Sequence, residues 1–226
     1  MVTPRFSEAD HRLVTDAVAK AERSSDGEIV TIVAPRSDAY HDVGLHYAVL
    51  AMLLVPTIAA VLPQSWIDWV LGLVFGWNAS LSFRLAMLAL VVAMAIVFLI
   101  VRFACAWMPL RMALTPASTK TRRVRRRAVD LFRAGTEHRT MGRTGILLYL
   151  SLLEHRAEIV ADEAIHSRVE PDVWGEAMAA LVEGVKAGRS GEGMALAVEK
   201  IGAVLAECVP KTLDNPNELP DRLIEL

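Results

Sequence analysis

Two cysteines in 226 residues, Cys105 and Cys208, leave no disulfide framework and no metal-ligand spacing. An excess of one charge is missing too. The 24 Lys and Arg nearly balance 26 Asp and Glu, for a net charge of −2, so nothing global draws the chain to nucleic acid. The signatures of hydrolytic chemistry are absent: there is no G-x-S-x-G and no H-E-x-x-H. The glycine-rich run GRSGEG at 188–193 has no preceding strand and no P-loop lysine, so it reads as a turn between helices. His11, His41, His46, His138 and His155 are scattered without metal spacing. Cys105 and Arg111 match the bare C-x5-R spacing of cysteine phosphatases. Pro109 removes an amide that a phosphate cradle would need, so the match reads as coincidence. No hydrophobic core of the signal-peptide kind precedes residue 43, and no cleavable signal peptide is expected.

Charge is also missing, locally, from residues 85–101, and that gap organises the chain. LAMLALVVAMAIVFLIV holds no charged or strongly polar group over seventeen residues, the short end of what crosses a bilayer core. Residues 81–83 and 103–107 extend it. Arg84 and Arg102 flank it, where their side chains can snorkel to headgroups. A buried core helix of this length would show one polar edge, and none is visible. A second uncharged stretch, VGLHYAVLAMLLVPTIAAVL at 43–62, also fits a span, with Pro56 as a kink. Residues 63–80 between them are too short for a third span, and they carry Trp66, Trp69 and Trp77. Trp107 follows the second span. Tryptophan prefers the interface, so the expected unit is a transmembrane hairpin over 42–108 with a Trp-rich interfacial connector. The connector has no Lys or Arg before Arg84. Arg36, Arg102, Arg111, Lys120, Arg122, Arg123 and residues 125–127 crowd the other side. The positive-inside rule then expects a multi-pass inner-membrane protein with both termini cytoplasmic.

Outside the hairpin the pattern is α/β. Ser7 is a helix N-cap followed by Glu8 and Asp10, and Leu13, Ala17, Val18 and Ala21 give 8–24 one apolar face. EIVTIVA at 28–34 predicts a strand buried on both sides. Residues 117–134 predict a helix with Val124, Ala128, Leu131 and Phe132 as its stripe. GILLYLSLL at 145–153 and AEIVA at 157–161 predict two strands forming a hairpin. Helices follow from Pro171 and over 192–208. Residues 210–226, rich in Pro, Asn and Glu, read as a loosely held tail. About forty residues before the hairpin cannot form a core alone. Residues 1–41 and 109–209 are therefore expected to be two parts of one domain, with the hairpin inserted. The cluster RRVRRR at 122–127 reads either as a nucleic-acid site or as a juxtamembrane anchor on anionic lipid. Its place after a span and the lack of interleaved aromatics favour the anchor, with no nucleic acid bound.

This order resembles the TPM domain family, also called the TPM phosphatase family. The resemblance is carried by the helix after Ser7, DGEIVTIVA, RRAVDLFRAGTEHRTMGRTGILLYLSLLEHRAEIVADEAI, and VEGVKAGRSGEGMALAVEKIGAVL, and it covers most of the non-membrane sequence. It implies a small α/β/α sandwich, here split by the inserted two-helix hairpin. Two features depart from the family. Ala161-Asp162-Glu163-Ala164-Ile165 stands where many members carry a G-Y-G-L-E-like segment, and many members hold the domain outside the membrane. Family functions range from acid phosphatase activity to accessory roles in membrane complexes, so fold alone does not transfer one.

Asp162, Glu163 and His166 follow a strand end, where active residues of α/β sheets often lie. A carboxylate pair with a histidine can hold a divalent cation such as calcium or magnesium, or act as acid and base; the same residues also suit a solvated helix start. No other cofactor is indicated. The expected function is an integral membrane protein whose cytoplasmic TPM-like domain is an interaction or assembly module. It would work in the lipid bilayer with a membrane-protein partner, in an oligomeric state left open. The alternative is a weak divalent-cation-assisted phosphatase using the Asp162 region.

Overall fold

The computed structural model describes residues 6–77, 82–135, 144–169, 171–212 and 218–226. In chain order the elements are α1 (Glu8–Glu22), β1 (Glu28–Ala34), α2 (His41–Val61), α3 (Gln64–Phe75), α4 (Phe83–Ala104), α5 (Met108–Leu114), α6 (Ala117–Gly135), β2 (Gly145–Ser151), β3 (Arg156–Ala161), α7 (Glu163–His166), α8 (Gly175–Lys186), α9 (Ser190–Cys208) and β4 (Ile224–Glu225). A 3-10 turn at Pro171–Trp174 leads into α8. They form two compact units, one from 1–39 with 117–226, the other from 40–116.

The first unit is mixed α/β. Its sheet runs β3-β2-β1-β4; β1 pairs in parallel with β2 and β4, and β2 pairs antiparallel with β3. All seven residues of β1 and all seven of β2 are buried, because helices cover both faces. Strand alternation divides them between two cores. Ile29, Val33, Ile146, Leu148 and Leu150 pack with Val14, Val18, Leu181, Val198, Ile201 and Leu205 of α1, α8 and α9. Val30, Ile32, Ala34, Leu147 and Tyr149 pack on Val124, Ala128 and Phe132 of α6. The start of α1 is set by a reciprocal cap. Asp10 N–H donates to Ser7 Oγ at 3.1 Å, and Ser7 N–H donates to the Asp10 carboxylate at 2.9 Å.

Two expectations for this unit are corrected. The segment read as a loose tail is part of the core. Leu219 and Leu223 are 6 % and 4 % exposed, and Ile224 pairs with Ile32 as an edge strand. The run GRSGEG does turn between α8 and α9, at Gly188 with a φ of 72°, but the turn is shorter than expected because α9 already starts at Ser190 and not at Glu192. Its glycines permit close approach: a Cβ on Gly184 of α8 would lie 2.5 Å from the Cα of Gly193, so neither position has room for a side chain.

The second unit holds α2 to α5. The start of α2 meets the end of α4, where a Cβ on Gly44 would come within 3.0 Å of Cys105 Cβ, so these helices run antiparallel. Both are long and apolar enough to cross a membrane. Not one residue of α4 is buried, and its exposed side chains include Leu88, Val91, Ile96 and Ile100. Residues 109–116, expected in the second part of the α/β domain, group with this unit instead. The Tyr47 hydroxyl donates to the Leu114 carbonyl at 3.1 Å.

Candidate functional site at the carboxyl edge of the sheet

Parallel strands β1 and β2 end side by side, and their ends gather a buried polar network. Ser37, just past β1, donates its N–H to Glu154 Oε1 at 2.9 Å. Its hydroxyl donates to Ser151 Oγ at 2.9 Å and shares a 2.9 Å hydrogen bond with the Tyr149 hydroxyl. Ser151 Oγ in turn donates to Glu154 Oε2. Ser151 and Tyr149 are fully buried, and Glu154 is 6 % exposed. Burial pushes the Tyr149 hydroxyl above its ordinary range, and the Glu154 carboxylate adds to that effect, so it stays a neutral donor. One residue beyond Ser37, Asp38 pairs with Arg123 of α6 at 3.1 Å.

The placement matters more than the residue types. The first unit's chain leaves at Ala39 and returns at Ala117. Ser37 and Asp38 are the last anchored side chains before departure, and α6 is the first helix after return. The network ties the departing chain to the end of β2, and the ion pair ties it to α6. Both crossing points are thus fastened to one sheet edge. A serine next to a glutamate resembles an activated nucleophile, but these atoms are sealed from solvent and bonded to one another. The chemistry available is structural: a clamp.

The sequence-derived candidates are not gathered into a comparable cluster. Asp162 is buried at 5 % exposure, where its carboxylate accepts from Gly145 N–H at 3.1 Å and its own N–H donates to the Gly145 carbonyl at 2.9 Å. These bonds fasten the start of β2 to the end of β3. Glu163 and His166 are exposed on the single turn of α7. Among the described residues no group of three His, Cys, Asp or Glu is placed to hold a metal ion. The expected interface residues Trp66, Trp69, Trp77 and Trp107 are all exposed, Arg84 is exposed and Arg102 half-buried. The C-x5-R pair does meet, through the backbone. Arg111, 4 % exposed, donates Nε to the Cys105 carbonyl at 2.7 Å and Nη2 to the Ala106 carbonyl at 3.3 Å, and its Nη1 lies 3.3 Å from His41 Nδ1. It caps the carboxyl end of α4, where a cation is favoured.

Sequence reasoning also missed a buried acidic pair at the opposite sheet edge. Glu22 accepts from Ile29 N–H at 2.8 Å, and Glu28 accepts from Leu219 N–H at 3.3 Å. Burial first, then the nearby charge of Glu28, raises the Glu22 pKa from 4.5 to about 8; burial raises that of Glu28 as well. The unfolded chain ionises Glu22 near pH 4.5 while the folded chain keeps it neutral. Its contribution to stability is therefore full below pH 4.5 and falls away as pH climbs to about 8. Glu22→Gln keeps the acceptor for Ile29 and removes the titration. The variant should gain on the order of 1–3 kcal/mol over the parent at pH 8 and nothing at pH 4. Thermal melts across that range measure it; equal slopes in both chains would contradict it.

No known family model matches the chain, and no curated protein is found as a relative. Among solved structures, the chain is similar to the NMR structure of BA42 protein from the psychrophilic bacterium Bizionia argentinensis. The TM-score is 0.57 at 16 % identity, with 100 % of this chain and 99 % of that one covered, a likeness of fold alone.

Proposed function

We propose that this is an integral inner-membrane protein of the TPM-like kind. Its α/β unit is split by a transmembrane hairpin, lies on the cytoplasmic face and serves as an interaction and assembly module for a membrane-protein partner. The observation that carries the reading is α4: twenty-two residues, none buried, with an apolar surface that water would not tolerate. A second apolar helix packs against it. The clamp on the two chain crossings supports a tethered domain. The cytoplasmic placement rests on the basic residues that crowd one side of the spans, against Arg84 alone on the other. A module is favoured over an enzyme because Ser37, Tyr149, Ser151 and Glu154 consume one another's hydrogen-bonding capacity.

The test has three arms. The full chain should stay in the pellet when membranes are washed with alkaline carbonate. Joining Ala39 to Ala117 through a short flexible linker should release a folded, soluble α/β domain. The full chain should not hydrolyse a generic phosphomonoester with calcium or magnesium. Release of the full chain by carbonate would remove the membrane reading. Turnover abolished by Asp162→Asn would replace the module with a cation-assisted phosphatase.

A further inference from the structure

The fold divides the arginine cluster of α6 into two sets. Val124, Ala128 and Phe132 face the sheet. At 100° per residue, Arg125 and Arg127 then fall on the helix flanks, and Arg122, Arg123 and Arg126 on the side away from the sheet. Three of the five have partners within the domain: half-buried Arg123 pairs with Asp38 at 3.1 Å, exposed Arg125 lies close enough to favour the charged form of Glu158, and exposed Arg127 acts on the Tyr149 hydroxyl. Arg122 and Arg126 are one turn apart on the side away from the sheet, both exposed, and exposed Arg133 continues their line two turns on. A lone exposed acid of α6, Asp130, stands near that line.

We propose that this outer stripe, centred on Arg122 and Arg126, is a docking surface for anionic lipid headgroups. The proposal rests on the membrane reading above and adds a specific lipid-binding face to it. Guanidinium groups at helical spacing can each take a phosphate oxygen pair, and cations within a Debye length of an anionic leaflet are drawn to it. The occupant is lipid because of chain continuity. Twelve residues separate the end of α4 from the start of α6, so the helix cannot leave the neighbourhood of the bilayer that holds α4. The stripe would fix the α/β unit against the membrane.

The full chain carries the test, with Cys208→Ser and Ser118→Cys. Ser118 is an exposed α6 position, and Cys105 is buried. A dye on residue 118 is read in lipid nanodiscs containing a headgroup-nitroxide quencher. Quenching should be about twofold or more stronger with about a third phosphatidylglycerol than with phosphatidylcholine alone. The gain should vanish in Arg122→Gln/Arg126→Gln and be lost at about 1 M salt, where the Debye length is about 3 Å. Equal quenching in both lipids, or a gain that survives the double variant with its circular dichroism unchanged, overturns the proposal. A dye response to soluble polyglutamate without one to anionic lipid also overturns it, assigning the stripe to an acidic protein. Carbonate extraction of the same protein separates the two readings: a chain that resists extraction but shows no lipid dependence is a membrane protein without this docking face.

Discussion

Leu223→Ala is expected to cost about 3 kcal/mol, and Leu219→Ala about as much, lowering the melting temperature of the detergent-solubilised chain by about 6–12 °C each. Both leucines lie in a nine-residue terminal segment whose composition suggests a loose tail. Surface substitutions in such a tail would stay within about 0.5 kcal/mol. The structure gives the opposite expectation. Leu223 belongs to the core under α1 and α9, whereas Leu219 belongs to the core under α6. The segment therefore contributes a side chain to each face of the sheet and closes its edge with β4. The two sites share no core, so their costs should add. The double variant should lose about 5 kcal/mol or more, a large part of what holds a domain folded. Melts that match the parent within error would return the segment to the status of a tail.

The second large effect is expected at Glu154. Alanine there strands the half-buried Ser37 N–H and the fully buried Ser151 hydroxyl without this acceptor. Each orphaned group costs about 1–3 kcal/mol, so Glu154→Ala should lose about 3 kcal/mol in total. Glu154→Gln keeps one carbonyl acceptor and should lose about half of that. The local signature is separable from the global one. Amide exchange at Ser37 should speed up in Glu154→Ala more than exchange at Val30 in the middle of β1, because the clamp opens before the sheet does. Uniform acceleration across β1 would mean that Glu154 supports the whole sheet and not the departing chain.

The strands and most helices were legible because their physics is local or periodic. EIVTIVA announces a strand covered on both faces, and the paired register of β1 with β2 over all seven residues confirms that reason. Ser7 and Asp10 mark a helix start by a cap that needs only three residues of context. What stayed hidden depends on distance in the chain. Glu154 stands beside His155 and Arg156, and the three look like a solvated turn until the fold brings Ser37 over one of them. His155 does make the turn, with a φ of 48°, which lets the chain double back and leaves Glu154 underneath. Leu219 stands between Glu218 and Pro220 and Leu223 beside the single Ile224, too short a pattern to give a period. The glycines of GRSGEG look like loop formers because sequence cannot show that Gly193 faces Gly184. Arg111 could have been suspected as a helix cap from its place soon after α4, although its partners are carbonyls that no side-chain pattern reveals.

The parallel pairing of β1 with β2 sets a schedule for synthesis. Glu28 pairs with Gly145, more than a hundred residues later, and the whole second unit is made in between. At about 5–20 residues per second, β1 emerges from the ribosome and waits for on the order of ten seconds before its neighbour exists. During that wait an uncapped β-branched strand is a target for wrong partners. On the membrane reading proposed above, insertion of α2 and α4 falls within the same interval. On that reading, a cell making this protein has to shelter seven residues while the membrane machinery finishes, and slowed insertion should surface first as aggregation of the α/β unit.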